Sequence, residues 1–147
     1  MMLAILTLSP LLAGGLIAIL SRRAVVETVH TIASLATLGA GAFIALQAWG
    51  GPPPTGLGGL LRADALSALM VAIIALLGAV AGLYGLGYAR SEFGPDDARR
   101  ARTFFSLFHV FIFTMLLAVT TDNLGVMWVA VEGTTLATVF LVNIHNT

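Results

Sequence analysis

The sequence predicts an all-α, polytopic membrane protein with about five transmembrane helices. The first reason is composition: 59% of the 147 residues are hydrophobic and 10% are charged, whereas soluble domains carry about 25% charged residues. The second reason is that five stretches are apolar over about 19 residues or more. A helix that rises about 1.5 Å per residue needs about 20 residues to cross the hydrocarbon core of a bilayer.

The predicted spans follow one another closely and form a single transmembrane domain over residues 1–147. The first span contains Pro10 and is interpreted as a retained helix. Arg22 and Arg23 follow it, whereas a signal peptide carries its positive residues before the apolar stretch. The connection at residues 121–123 is so short that the last two spans must form an antiparallel hairpin. The five spans cover residues 1–20, 25–49, 63–88, 103–121 and 124–144.

The arginines predict the orientation of the chain in the membrane. Six of the seven arginines lie in the connections after the first and third spans, which share one side, and the seventh, Arg62, lies on the other side. Because cytoplasmic loops carry an excess of positive charge, we expect the N-terminus outside and the C-terminus in the cytoplasm. The six arginines are Arg22, Arg23, Arg90, Arg99, Arg100 and Arg102.

Local signals predict how the connections are built. The sequence GGPPPTGLGG at residues 50–59 has no helix potential, and Asp64 is placed to cap the third span. The sequence GPDD at residues 94–97 is typical of a helix start, with a proline near the first position and acids in the first turn. Of the histidines, His30 is expected at the inner interface and His145 in solvent.

Small residues four positions apart predict where the helices pack closely, because short side chains let helix backbones approach each other in lipid. We interpret these pairs as packing seams between helices. They are Ala36/Ala40, Ala68/Ala72, Ala75/Ala79 and Gly78/Gly82.

Several classes of function lack the residues that they need. The chain contains no cysteine and no lysine, so it carries no thiolate metal site and no iron–sulfur cluster, and we expect neither a metal nor a cofactor. The net charge is zero and no basic patch is visible, which argues against nucleic acid as a partner. The P-loop, G-x-S-x-G and H-E-x-x-H motifs are absent from the sequence.

Glu132 is the main candidate for a functional residue. It is the only ionisable side chain within residues 124–144, and a charge at the centre of a membrane helix costs about 2.5–3.5 kcal/mol on insertion scales. Acids in this position usually belong to proton or ion relays. The alternative interpretation is a protonated carboxyl group that donates a hydrogen bond to a backbone carbonyl.

His109 and Thr135 are two further candidates for the same proton relay. His109 lies 13 residues before Asp122 and Glu132 lies 10 residues after it, so their depths in an antiparallel hairpin differ by about 4–5 Å. Thr135 shares the helix face of Glu132 at position i+3. A carboxyl, an imidazole and a hydroxyl group at one depth could conduct protons through bound water. Alternatively, His109 only makes a hydrogen bond to a neighbouring helix.

Four stretches resemble the antiporter-like, proton-pumping membrane subunits of respiratory complex I and group 4 hydrogenases. Residues 123–142 (NLGVMWVAVEGTTLATVFLV) resemble the family's fifth helix, and WVAVEGTTL within them is most similar to the hydrogenase-4 component F type. Residues 108–124 (FHVFIFTMLLAVTTDNL) resemble the fourth helix and the turn after it. The third helix is matched at its opening by ADALSALM, residues 63–70, and at its close by YGLGYAR, residues 84–90.

The resemblance implies roles for particular residues. Glu132 occupies the position of the family's fifth-helix glutamate, an essential part of the proton path, and Asp64 belongs to the motif that opens the third helix. The family's glutamate works with a lysine on a later, broken helix. The chain resembles only the N-terminal third of such a subunit and has no lysine. We therefore expect a split subunit, a truncated reading frame or a fragment, with the lysine supplied by another hydrophobic subunit.

The resemblance also implies a function: a membrane-arm component of a redox-driven proton-translocating complex, either hydrogenase-4/formate hydrogenlyase-like or NADH:quinone oxidoreductase-like. The chain would be a non-redox subunit of that oxidoreductase complex. Its partners would be other hydrophobic subunits and the lipid bilayer, in the cytoplasmic (inner) membrane of a prokaryote. Two alternatives stay open: a structural or assembly membrane protein without a transport role, and a component of a multisubunit sodium/proton antiporter.

Overall fold

The computed structural model describes residues 1–94 and 97–146, with side chains as far as Ile144. Its five main helices are each long and apolar enough to cross a membrane, which confirms the prediction of an all-α polytopic membrane protein. The side chain of His145, expected in solvent, lies outside the described part. The helices are α1 (Met2–Ile19), α2 (Arg23–Gly50), α3 (Ala65–Glu92), α4 (Ala98–Thr120) and α5 (Leu124–Val142).

Helices α1 to α4 form a bundle, and α5 packs on one side of this bundle, chiefly against α4. Apolar side chains buried in the bundle form two clusters, one toward each end of the helices. The polar residues that lie between the two clusters are therefore enclosed by protein. One cluster contains Leu3, Leu6, Leu61 and Leu116, and the other contains Ile17, Phe93, Phe105 and Ile144.

Glycines allow the helix backbones to approach each other closely. A Cβ atom on Gly41 of α2 would lie 2.5 Å from the Cβ of Ala75 on α3, which is closer than real Cβ atoms approach. On the other side of the bundle, a Cβ on Gly14 of α1 would lie 3.0 Å from the backbone oxygen of Ser106 on α4. A side chain at Gly41 would force the helices to shift, and one at Gly14 would be tightly crowded.

Of the four predicted seams, two are buried, one is not buried within the chain, and the pair Ala68/Ala72 is buried at Ala68 and half-buried at Ala72. Ala75, Ala79, Gly78 and Gly82 all lie on the buried face of α3, so these two pairs do form a packing surface. Ala36 is exposed, because the buried face of α2 follows a different set of positions. Ala36 therefore takes no part in a seam within this chain, and a seam there with another helix stays a prediction.

Pro10 lies inside α1 without ending the helix. A proline has no backbone N–H, so it leaves the carbonyl of the residue four positions earlier, here Leu6, without its helical donor. The hydroxyl of Ser9 donates a hydrogen bond to the Leu6 carbonyl oxygen at 3.2 Å. This side chain replaces the missing donor, which is one way in which a membrane helix tolerates a proline.

The connection between α2 and α3 is more ordered than its sequence suggests. Two short strands, β1 (Thr55–Gly56) and β2 (Leu61–Arg62), pair in antiparallel fashion. A three-residue 3-10 turn over Leu57–Gly59 joins them, and no α-helix forms in this connection, as the sequence predicts. Three consecutive residues of positive φ, ending at Gly59 with φ 96°, reverse the chain at this turn.

This small hairpin closes one end of the bundle, called the hairpin end below. The amide of Asp122 donates a hydrogen bond to the carbonyl oxygen of Leu60 at 2.8 Å, and Leu61 forms a β-bridge with Thr121. These contacts join the α2–α3 connection to the turn between α4 and α5. Leu61 is fully buried, so the hairpin also contributes to the core.

The opposite end, called the arginine end below, is held by ion pairs and by hydrogen bonds to helix termini. Arg23 donates to the carbonyl oxygens of Ala89, Phe93 and Gly94 at 2.8–2.9 Å. The carboxylate of Glu27 accepts from Arg23 at 3.1 Å and from Arg90 at 2.7 Å. The arginines of two connections thus meet at one end of the bundle, although the orientation of that end in a membrane stays a prediction.

The helix starts use side-chain caps. Asp64 accepts a hydrogen bond from the Ser67 amide at 2.8 Å, which confirms the predicted cap of α3. The Ser67 amide also lowers the pKa of the Asp64 carboxyl group. Asp97 caps α4 by accepting from the Arg100 amide, so it precedes the first turn instead of lying within it as predicted. Residues 95 and 96, also part of that prediction, lie outside the described residues.

Candidate functional site

Glu132 lies near the middle of α5, on the side that faces away from the bundle. The face of α5 that contacts α4 consists of positions 130, 133, 134 and 137, which recur at helical spacing. Position 132 falls opposite this face, and its side chain is exposed at the surface of the chain. Within the described residues, the carboxylate of Glu132 makes no hydrogen bond and no ion pair.

The surface around Glu132 is apolar. Trp128 and Val131, both more than half exposed, line a shallow open groove beside the carboxyl group. Thr135, one turn further along, is also exposed, and its hydroxyl donates to the Val131 carbonyl oxygen at 3.2 Å. The structure therefore places Thr135 and Glu132 on neighbouring parts of one outward face, as the sequence predicts.

The inner face of α5 makes a polar contact of its own. The hydroxyl of Thr134 donates to the hydroxyl of Thr114 on α4 at 3.0 Å and also contacts the Ala130 carbonyl oxygen at 3.0 Å. Next to this contact, a Cβ on Gly133 would lie 2.9 Å from the Thr114 methyl group. The backbone of α5 at Gly133 therefore packs closely on the Thr114 side chain of α4, where α5 turns its carboxyl group away.

His109 lies inside the bundle and does not meet Glu132. Its Nε2 lies 3.1 Å from Nδ1 of His30, and both side chains are 1% exposed. Because His109 faces α2 while Glu132 faces outward from α5, no contact joins the two. His109 therefore makes a hydrogen bond to a neighbouring helix, which was the alternative interpretation of this residue from the sequence.

His30 is the functional candidate that the sequence placed wrongly. It is expected at the inner interface, yet the structure buries it in the bundle, with Nε2 3.0 Å from the Gly82 carbonyl oxygen. One sequence signal could have revealed this position. His30, Ser34 and Thr37 recur at the i, i+4, i+7 spacing of one helix face, and all three are buried.

The described side chains offer no metal site: within residues 1–94 and 97–144, no three His, Cys, Asp or Glu side chains lie close enough to hold a metal ion. The fold and the site together define a multi-pass membrane protein with one carboxyl group at mid-helix depth on its outer surface. No family model matches the chain.

Curated proteins do match it. The chain is 29% identical over 92 residues to the hydrogenase-4 component F homolog of Methylacidiphilum infernorum (isolate V4), covering 61% of the chain and 19% of that protein. It is 33% identical over 87 residues to NADH-quinone oxidoreductase subunit L of Rhodobacter capsulatus, covering 58% of the chain and 12% of that protein. It is also 33% identical over 84 residues to NADH-ubiquinone oxidoreductase chain 5 of Chondrus crispus, covering 57% and 12%.

These relatives are all antiporter-like subunits, which confirms the family resemblance found in the sequence. The chain is therefore similar in sequence to subunits of a hydrogenase-4 type and of NADH–quinone oxidoreductases. The aligned stretch spans less than a fifth of the length of each relative.

Proposed function

We propose that this chain is a membrane-arm component of a redox-driven proton-translocating complex of the hydrogenase-4 or NADH:quinone oxidoreductase type. In this proposal Glu132 carries a transferable proton, and Thr135 binds water beside it. The complex lies in the inner membrane of a prokaryote, with the arginine end of the chain in the cytoplasm. The relatives support the type of complex, and the position of Glu132 is the single observation that supports the proton relay.

The exposure of Glu132 supports a site that is completed by another polypeptide. A carboxyl group in contact with lipid tails is costly, and mid-membrane acids normally face protein or a water-filled cavity. In the most apolar part of α5, 11% is buried inside the chain, whereas the corresponding share is 28–39% in the other four helices. We therefore place a helix of a partner subunit over the outward face of α5.

The charge on Glu132 needs a counter-charge from that partner. The chain has no lysine, and its arginines lie in connections or near helix ends. The family resemblance implies a lysine on the partner's helix. That lysine would stabilise the charged carboxylate, and Glu132 would take up a proton when the lysine moves away or loses its own proton. Electron transfer would take place on other subunits, because this chain offers no thiolate ligands.

Replacing Glu132 with glutamine in the assembled complex tests the proposal. Glutamine keeps the shape of the side chain and cannot exchange a proton. We expect proton translocation per electron transferred to fall by about tenfold or more, since a positioned acid–base group contributes about 10²–10⁴-fold to proton transfer. Translocation is measured as acidification of inverted vesicles driven by hydrogen or NADH oxidation, with subunit content checked by immunoblot.

Asp122→Asn is the matched control, because it removes a carboxyl group from the same helical hairpin at its exposed turn. This variant should pump normally. Normal pumping by Glu132→Gln in a complex of normal composition would contradict the relay and favour a structural or assembly role. Transport that requires sodium ions and responds to Glu132→Gln would instead favour a sodium/proton antiporter component.

A further inference from the structure

Two histidines form a hydrogen-bonded pair in the interior of the bundle, apart from Glu132. His30 on α2 and His109 on α4 are both buried, and their rings are 3.1 Å apart between Nδ1 and Nε2. Phe105 packs on the His30 ring with the ring centroids 4.3 Å apart, and Phe108 contacts its edge with centroids 5.3 Å apart. Bulk water is thus excluded from both imidazoles.

The contacts of the pair fix where its hydrogens lie. The Gly82 carbonyl oxygen only accepts, so Nε2 of His30, 3.0 Å away, carries a hydrogen. In a neutral His30 ring, Nδ1 then has a lone pair and accepts from Nε2–H of His109. A neutral His109 in this tautomer keeps its own Nδ1 unprotonated. The neutral pair therefore has one ring nitrogen left that can take a proton.

The same logic limits the capacity of the pair to one proton. A proton on Nδ1 of His109 creates an imidazolium that donates to neutral His30, and such charge-assisted hydrogen bonds are stronger than neutral ones. A second proton would have to enter Nδ1 of His30. Two N–H groups would then point at each other across a 3.1 Å gap, and the bond between the rings would be lost.

A small cavity, lined mostly by apolar side chains, adjoins the pair. Its volume is about 10 Å³, close to the least that a single water molecule needs, and Ser34, Thr37 and His109 are among the residues that line it. The hydroxyl oxygen of Ser34 is buried and, among the described residues, has no hydrogen-bond partner. One water molecule in the cavity would satisfy this hydroxyl and bring an exchangeable proton beside the His109 ring.

The charged groups around the pair all lie toward the arginine end. Helix α1 contributes no ionisable side chain. Glu27 precedes His30 by three positions on α2, and its carboxylate pairs with Arg23 and Arg90. The other ionisable groups of α3 and α4, besides Arg90 and His109 themselves, are Tyr84, Tyr88, Glu92, Arg99, Arg100 and Arg102. Helix α5, which packs against α4, carries Glu132 on its outward face.

We propose that His30 and His109 together form a binding site for one exchangeable proton, held between the two rings and separate from Glu132. The site depends on the pairing of the rings, on their enclosure by aromatic side chains and on the adjacent cavity. It does not depend on the proposed pumping function, because all of its groups lie within α2, α3 and α4.

Nitrogen NMR of the full chain in lipid nanodiscs, labelled with ¹⁵N in its histidine rings, tests this site. The chain has three histidines, so the spectrum contains few ring signals. The spectra are recorded from about pH 4 to about pH 9, which brackets the ordinary imidazole pKa of about 6.5. We expect the signals of both buried rings to change together in one step, with the loss of one unprotonated nitrogen signal from the pair.

Variants assign the signals and provide the control. His30→Gln should shift the ring signals of His109, whereas His145→Gln should leave both members of the pair unchanged. Two independent titrations, a total uptake of two protons, or rings that stay neutral at every pH would each overturn the proposal. If His30→Gln does not fold, the titration of the unaltered chain together with His145→Gln still decides the question.

Discussion

Arg23 joins the start of α2 to the end of α3 through one side chain. The last carbonyl groups of a helix have no partner within that helix, and a cation at this terminus is favoured by the helix dipole. The guanidinium group reaches three carbonyl oxygens beyond and within the last turn of α3, and it also contacts Glu27. Its planar array of donors suits this geometry in a way that a single ammonium group does not.

Replacing Arg23 with lysine should therefore destabilise the fold while keeping the charge. We expect the free energy of unfolding to fall by about 1–3 kcal/mol, the usual range for lost hydrogen bonds to a charged group. Unfolding in mixed micelles with increasing denaturing detergent measures the change. Arg22→Lys is the control, because Arg22 is exposed, and it should alter stability by less than about 0.5 kcal/mol. Equal effects of the two variants would contradict this role.

The sequence predicted the position and role of some single residues but not of others. Asp64 could be identified as a cap and Glu132 as an unusual acid, since each depends on its neighbours along the chain. Hydropathy alone could not place His30, because its burial depends on which face of α2 turns inward, and the spacing of His30, Ser34 and Thr37 is the one sequence signal of that face. The pairing of His30 with His109 joins residues 79 positions apart, beyond the reach of any local signal.

At the scale of elements, the contact between α2 and α3 depends on Gly41. Replacing Gly41 with alanine places a methyl group 2.5 Å from the Ala75 Cβ, so the helices must separate or shift. We expect the free energy of unfolding to fall by about 1–3 kcal/mol, as for other overpacked interiors. Thermal unfolding in detergent, followed by far-ultraviolet circular dichroism, measures the loss.

Gly39→Ala is the matched control, because Gly39 lies on the same helix with open space around it. An alanine there should be neutral or should stabilise α2 by up to about 1 kcal/mol through helix propensity. A stabilising effect of Gly41→Ala would show that α2 and α3 are further apart than the structure has them.

Hydropathy located the helices but not all of their ends. The predicted fourth span begins at residue 103, whereas α4 begins at Ala98, since the arginines of its first turns belong to the helix. In the same way, α3 continues to Glu92, four residues past the predicted end. Hydropathy marks the apolar part of a helix, while hydrogen bonds and caps set where it stops. The hairpin between α2 and α3 escaped prediction because it is held by contacts with the distant α4–α5 turn.

For the whole molecule, the two ends of the bundle make the orientation testable. The chain lacks cysteine, so single cysteines can be introduced without removing any. We expect Pro52→Cys, in the loop at the hairpin end, to react with a membrane-impermeant maleimide in intact cells. Ser21→Cys, in the α1–α2 connection at the arginine end, should react only after the membrane is opened, because positive connections stay in the cytoplasm.

The two cysteine variants control for each other, since both positions are exposed and lie outside the helices. Labelling of Ser21→Cys in intact cells, with protection of Pro52→Cys, would show the opposite orientation.

The sequence could predict which connections share a side, because the spans alternate. It could not predict that α5 packs against α4 and stands apart from α1, α2 and α3, which depends on how the helix faces match.

The link between Leu60 and the α4–α5 turn bears on the order in which the chain matures during translation. Thr121 and Leu60, which meet at the hairpin end, are 61 positions apart. A nascent chain exposes Leu60 long before the ribosome has made Thr121 and Asp122, and two further helices must enter the membrane in between. The hairpin end is therefore completed late in biosynthesis, after the first four helices have been inserted.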